Sequence, residues 1–372
     1  MSFFWRNIDN NHYFTVSTIL FSMSWLWLSF TYSLRLAFLG VSYEDIGIIG
    51  ISTSLPFILI SFLFRKSRKS HINFALKFPF AVLAVISAIF LIFDLNLYVY
   101  ILLIAISGLF QSMWWIAAEI ETGLMSGDGR AEKYSAAWAI PSGLFPIFSG
   151  TIIQYGGYRF IYLIVAISSI LGFLIAPVEM NERKILKEGT LDYLKLIPMI
   201  LVGIAMGYTS FVLTPLLKNS GYSYFSIGLL LGAFGISFSI GSIISTYSKN
   251  ISTGQFAWIS SIFAASYLIL LINFSFESIA LALFLAGLGG SMGFSKILSY
   301  IGETESPRDG VFYYESFFSI GFVTGSFSGG FLLGFYGYKI SLLLFIPSLI
   351  FALLTYKKLG RSNSPPILRN EE

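Results

Sequence analysis

The chain has 372 residues, 56% of them hydrophobic and 11% charged, with a mean hydropathy of +0.78 and a net charge of +4. Polar residues are too few to cover a water-soluble fold, so lipid must be the solvent for most of the chain. There is no cysteine, which excludes disulfides, thiolate metal sites and cysteine nucleophiles; His12 and His71 lie in polar flanks, so no metal or cofactor site is expected, and the small net charge does not mark a nucleic-acid binder.

The first apolar run, 13–38, is too long for the apolar region of a cleaved leader and reads as an uncleaved span. Further runs of about 20 residues follow at 43–64, 73–93, 97–121, 134–155 and 158–178. The polar stretch "EMNERKILKEGTLDY" (179–193) then interrupts the pattern. Six more runs lie at 194–217, 223–246, 255–273, 277–299, 310–333 and 338–356. The expected organisation is a six-helix bundle (1–178), a linker (179–193), a second six-helix bundle (194–356) and a short tail (357–372).

With both termini in the cytoplasm, seventeen Lys and Arg residues fall on the inner side, including Arg65, Lys66, Arg68 and Lys69, against four outside: Arg35, Arg159, Lys218 and Lys339. This bias predicts a multi-pass protein of the cell membrane with cytoplasmic termini and linker. The cluster "RKSRKSH" (65–71) reads as a topology signal between spans 2 and 3, with a lipid-headgroup or partner site as the alternative.

"SYEDIG" (42–47) opens span 2 and "SYFSIG" (223–228) opens span 8. Gly108, Leu109, Ser112 and Met113 of span 4 match Gly287, Leu288, Ser291 and Met292 of span 10. "FSG" at 148–150 matches 327–329, and Gly157–Tyr158 before Arg159 matches Gly337–Tyr338 before Lys339. Offsets of 179 to 181 residues, in order on corresponding spans, mark two copies of one unit. An even number of spans per copy sets both in the same orientation.

Parallel six-span halves around a charged linker resemble the major facilitator superfamily. "SFLFRKSRKS" (61–70) keeps the basic residues of that family's loop after span 2 but lacks its glycine and aspartate; "GSIISTYSKN" (241–250) keeps the glycine and lacks the aspartate. Gly108 stands where proton-coupled members carry a buried arginine, and "FPIFSG" (145–150) keeps part of the exporter pattern G-P-x-x-G-G. "GGYRFIYLI" from Gly156 resembles the family's G-W-R-x-x-F turn. The resemblance implies an all-α integral membrane protein with twelve transmembrane helices in two parallel bundles. It also implies a secondary transporter working by alternating access, with spans 1, 4, 7 and 10 around a central cavity.

Span 1 carries Thr18, Ser22, Trp25, Ser29 and Tyr32 on one helical face. Such a stripe either walls a solute cavity or packs helices together; the resemblance directs Trp25 and Ser29 toward the cavity. Gln111, Trp114 and Trp115 on span 4, Ser210 on span 7, and Ser291 and Phe294 on span 10 are the other polar and aromatic candidates, with packing favoured for Trp114. Among the charges, Glu119, Glu121, Lys296 and Glu315 are expected within a turn or two of the inner span ends, as boundary charges or as a gate and protonation site. Lys296 is expected to pair with Glu315 or with Glu121. These boundaries leave no fixed acid at mid-membrane, an argument against a permanently charged cation. No histidine lies in a span and no loop exceeds about 15 residues, so no enzyme active site is expected. The reading is a monomeric transporter of a small solute, with protons as candidate coupling ion; the alternative is a transport-inactive sensor or scaffold with the same fold.

Overall fold

A computed structural model describes residues 10–124, 130–176, 191–247, 253–304 and 306–362. Most of the linker, the side chains of the tail and Lys249 lie outside the described residues. Apart from short turns, the described chain is helical, because a backbone in lipid must satisfy its hydrogen bonds within its own segment. The first half comprises α1 (Asn10–Phe38), α2 (Tyr43–Phe64), α3 (Lys69–Ile92), α4 (Leu97–Leu124), α5 (Arg130–Gly156) and α6 (Tyr158–Ile175). The second comprises α7 (Pro198–Asn219), α8 (Tyr224–Tyr247), α9 (253–271), α10 (Phe276–Gly302), α11 (Pro307–Tyr336) and α12 (338–362). Ten of these are long and apolar enough to cross a membrane among the described residues, and α9 and α12 contain shorter apolar helices. Apolar side chains such as Phe62, Leu63, Ile92, Leu174, Leu353 and Leu354 are exposed on the outside, as a lipid-facing surface requires.

The repeated phrases have structural counterparts. The hydroxyl of Ser42 accepts a hydrogen bond from the N–H of Asp45 at 3.2 Å, and that of Ser223 accepts from Ser226 at 3.0 Å. Each serine thus caps the helix that its phrase opens. Among the described residues four glycines have positive φ, and they form two pairs at the repeat distance: Gly40 with Gly221, and Gly157 with Gly337. The left-handed backbone at these turns favours glycine because it has no Cβ to clash.

The halves meet along two seams, α2 against α11 and α5 against α8. A Cβ on Gly47 would meet the carbonyl oxygen of Ser326 and the Cα of Gly330. A Cβ on Gly228 would meet the carbonyl oxygen of Pro146 and the Cα of Gly150. The seams therefore repeat the same contact, with Gly150 corresponding to Gly330. That corrects the register read from "FSG", which matched Gly150 to Gly329: the helix crossing selects the glycine facing its partner, one residue later. Gly108 against Thr53, and Gly287 against Phe234, repeat a second contact at the expected offset.

Both ends of the central space are closed by contacts between halves. At the end nearer the linker, Arg65 donates to Asp309 at 2.7 Å and Arg308 donates to the carbonyl of Ser67 at 2.8 Å. The Arg65 guanidinium also lies 5.0 Å from the Phe312 ring. At the far end, Asn219 donates to the Tyr43 hydroxyl at 2.8 Å and the Tyr158 and Tyr224 hydroxyls are 3.1 Å apart.

Candidate functional site

Two adjoining cavities lie between the closed ends. The larger, about 90 Å³, is walled by Trp25, Ser29, Ser33, Trp138, Thr209 and Ser210, among others. The smaller, about 50 Å³, is walled by Phe57, Trp115, Glu119, Phe294, Glu315 and Phe318. Trp25, Trp138 and Met206 line both. Each cavity can hold water in its present shape, since a single water needs only about 10–15 Å³ by this measure.

The α1 stripe divides along its length. Thr18 and Ser22 turn their hydroxyls onto backbone carbonyls of their own helix, those of Phe14 and Thr18. Trp25 and Ser29 reach the cavity. Tyr32 packs inside the first half, donating to Ser107 at 2.9 Å with its ring against Phe90 and Tyr100. Ser24, on another face, is within 2.9 Å of the Ser168 hydroxyl of α6. Cavity wall and helix packing therefore coexist on α1, because the cavity follows the face of Trp25, Ser29 and Ser33 and the neighbouring faces pack against other helices.

Of the other candidates, Trp115, Ser210 and Phe294 line the cavities. Gln111 is buried in α4, and Ser291 turns its hydroxyl to Leu288, against Gly241 of α8. Trp114 is fully buried, donating to the Leu76 carbonyl at 3.1 Å and stacked on Phe21.

The acids stand on helices that run further than the sequence suggested. Helix α4 continues to Leu124 and α11 begins at Pro307, each three residues beyond the expected span end. Glu315 stands about 12 Å along its helix. Glu119 and Glu315 are 2% and 3% exposed, line the smaller cavity and interact directly with each other across the seam between halves. Oε2 of each has no hydrogen-bond partner among the described residues. The expectation that no acid reaches the central region is thus corrected. The Lys296–Glu315 pairing also gives way: Glu315 meets an acid of the other half. Glu121 is buried away from these cavities and Lys296 is half-buried.

The α5 contribution was missed. Trp138, Ser142 and Pro146 recur every four residues in "WAIPSGLFP", so they share a face and all line the larger cavity. That spacing is the signal that could have found them. On α7 a π-helical turn, Thr209–Leu213, immediately precedes Pro215. Proline supplies no N–H to bond four residues back, and the wider turn accommodates that loss. Thr209 and Ser210 reach the cavity from this turn.

No family model and no curated protein matches the chain. Among solved structures, the human organic anion transporter MFSD10 (TETRAN) is similar over 94% of this chain and 100% of its own, with a TM-score of 0.68 at 11% sequence identity. The chain has the major facilitator fold. In that frame the cavities sit between the two bundles, walled by α1, α2, α4 and α5 of one and α7, α8, α10 and α11 of the other.

Proposed function

We propose that the protein is a secondary transporter that moves a small solute across the cell membrane by alternating access. The observation that carries this reading is a cavity between the bundles to which each half contributes one carboxyl group, Glu119 from α4 and Glu315 from α11. Rocking of the halves would pull these acids apart and expose one or both to water. A charged or protonated state then has different energies in the two conformers, as coupling requires. Contacts between the halves at both ends are the ones that such rocking would break in turn. The basic bias puts the termini, the linker and the Arg65–Asp309 contact on the cytoplasmic side. The human neighbour carries organic anions; an anion here would meet two carboxyl groups and, among the described lining residues, no basic side chain.

Proton coupling through the pair is part of this reading. Tyr134 from α5 and Tyr314 from α11 are titratable groups near enough to feel the charge of the acids; Lys296 of α10 is half-buried. Purified protein in liposomes, tested with a solute panel with and without a pH gradient, checks it. Glu119→Gln is expected to abolish pH-driven accumulation but to leave exchange at saturating solute; Glu121→Gln is expected to have a smaller effect. Accumulation by Glu119→Gln equal to that of the parent, with the same pH dependence, would remove Glu119 from the coupling.

A further inference from the structure

The proton does not exhaust the chemistry of the acid pair. Two carboxyl groups in contact, out of water, need a positive partner or a shared proton between them. A buried acid pair by itself would say little. Here other unpartnered groups line the same space. Oε2 of Glu119 and Oε2 of Glu315 receive no hydrogen bond, and the indole Nε1 atoms of Trp115 and Trp138 find no acceptor among the described residues. All four side chains are more than nine-tenths buried.

The rings around the acids form a connected cage. Trp25 lies 5.5 Å from Trp115, Trp115 lies 5.9 Å from Trp138, and Trp138 lies 5.2 Å from Phe294, each pair edge to face. Rings crossed at steep angles make the wall beside the two acids aromatic on several sides, and a cation is favoured wherever it meets a ring face there. On the other side of Trp25 and Trp138 the chemistry changes. Ser29 and Ser210 supply hydroxyl groups, those of Ser142 and Thr209 being bonded to the Ala139 and Ala205 carbonyls, with Met206 between the two compartments.

We propose that this cavity binds a small protonated amine whose far end carries a hydrogen-bonding group. The ammonium sits between Glu119 and Glu315 inside the aromatic cage, where both orphaned carboxyl oxygens gain a donor. The body passes Trp138, and the polar end reaches the hydroxyl-lined compartment. This assigns a substrate class to the site of the proposed transporter and rests on that reading for its physiological meaning, but not for its test.

Three molecules with the same phenolic body separate the charge states: tyramine (cation), tyrosol (neutral) and 4-hydroxyphenylacetate (anion). Each is titrated into the full-length protein in detergent, following tryptophan fluorescence, since three tryptophans line the cavities. Tyramine is expected to bind at least tenfold more tightly than tyrosol, with no saturable signal from the anion. Glu119→Gln and Glu315→Gln should each weaken tyramine at least tenfold and leave tyrosol unchanged. Anion binding as tight as that of tyramine, tyramine affinity unchanged in both variants, or no binding of any of the three would overturn the proposal. The charge series on the parent protein decides the matter even if a variant does not fold. Uptake into liposomes is read separately: tyramine binding without transport of any solute upholds the amine site and refutes the transporter. Transport with no preference for the cation does the reverse.

Discussion

Trp138 shows how one side chain can organise a cavity. It borders both compartments, packs on Phe238 at 4.6 Å and on Phe294 at 5.2 Å, and keeps its Nε1 without an acceptor. Its ring therefore packs the wall, while its buried N–H, unpaired among the described residues, would gain an acceptor only if the wall shifted around a solute. Trp138→Phe keeps an aromatic ring but removes the donor and part of the ring volume, and should lower solute affinity several-fold with a smaller fall in thermal midpoint than Trp138→Ala. Trp138→Ala removes the contacts as well and should lower the thermal midpoint, since deleting a buried aromatic side chain costs about 3–5 kcal/mol in a well-packed core and less where one side already faces a cavity. A Trp138→Ala protein with parental transport and midpoint would show the residue to be dispensable.

At the scale of elements, the two seams depend on the absence of side chains. Lipid supplies no hydrophobic drive for helices to associate, so close backbone approach and dispersion must hold them together. Gly228 of α8 lies against the backbone at Pro146, and an added Cβ there meets a carbonyl that cannot rotate aside. Gly228→Val is expected to destabilise by about 1–3 kcal/mol through overpacking, read as a lower thermal midpoint in detergent. Gly290 of α10 is the control: the nearest atoms to an added Cβ, on Phe238 and Val202, lie at 3.7 Å. Gly290→Ala should be neutral or mildly stabilising, because alanine is the better helix former. Equal effects at the two sites would refute the close-contact account of the seams.

For the whole molecule, the contacts at the two ends govern which conformer is populated. The Arg65–Asp309 pair and the Arg308–Ser67 bond join the halves on the linker side. Asp309→Ala should favour opening there, raising the labelling rate of a cysteine placed at Phe57, which lines the smaller cavity. The exchange Arg65→Asp with Asp309→Arg should restore slow labelling. Unchanged labelling in the single variant would mean that the pair does not hold that end. Orientation has its own test, made clean by the lack of native cysteine. A Glu182→Cys protein in intact cells should resist a membrane-impermeant reagent and label only after permeabilisation; labelling from outside would invert the proposed topology.

The twelve apolar runs and the two copies were legible because a membrane imposes a local requirement. Each crossing must be apolar over about 20 residues whatever its neighbours are. The capping serines Ser42 and Ser223 and the turn glycines Gly157 and Gly337 are also local, and both pairs stand out in the linear text. Which side chains meet across the seam is not local. Glu119 and Glu315 are 196 positions apart, and their meeting depends on the rotation and stagger of α4 against α11. That packing sets both acids in one cavity wall. Tyr32, on the stripe read with Trp25, turned into its own bundle because the cavity follows the face of Ser29 and Ser33, from which Tyr32 is rotated. The sequence alone determined the crossings, their number and their repetition, because the solvent imposes those one helix at a time. Only the tertiary structure decided that two acids face each other among tryptophans, because that depends on how two bundles pack.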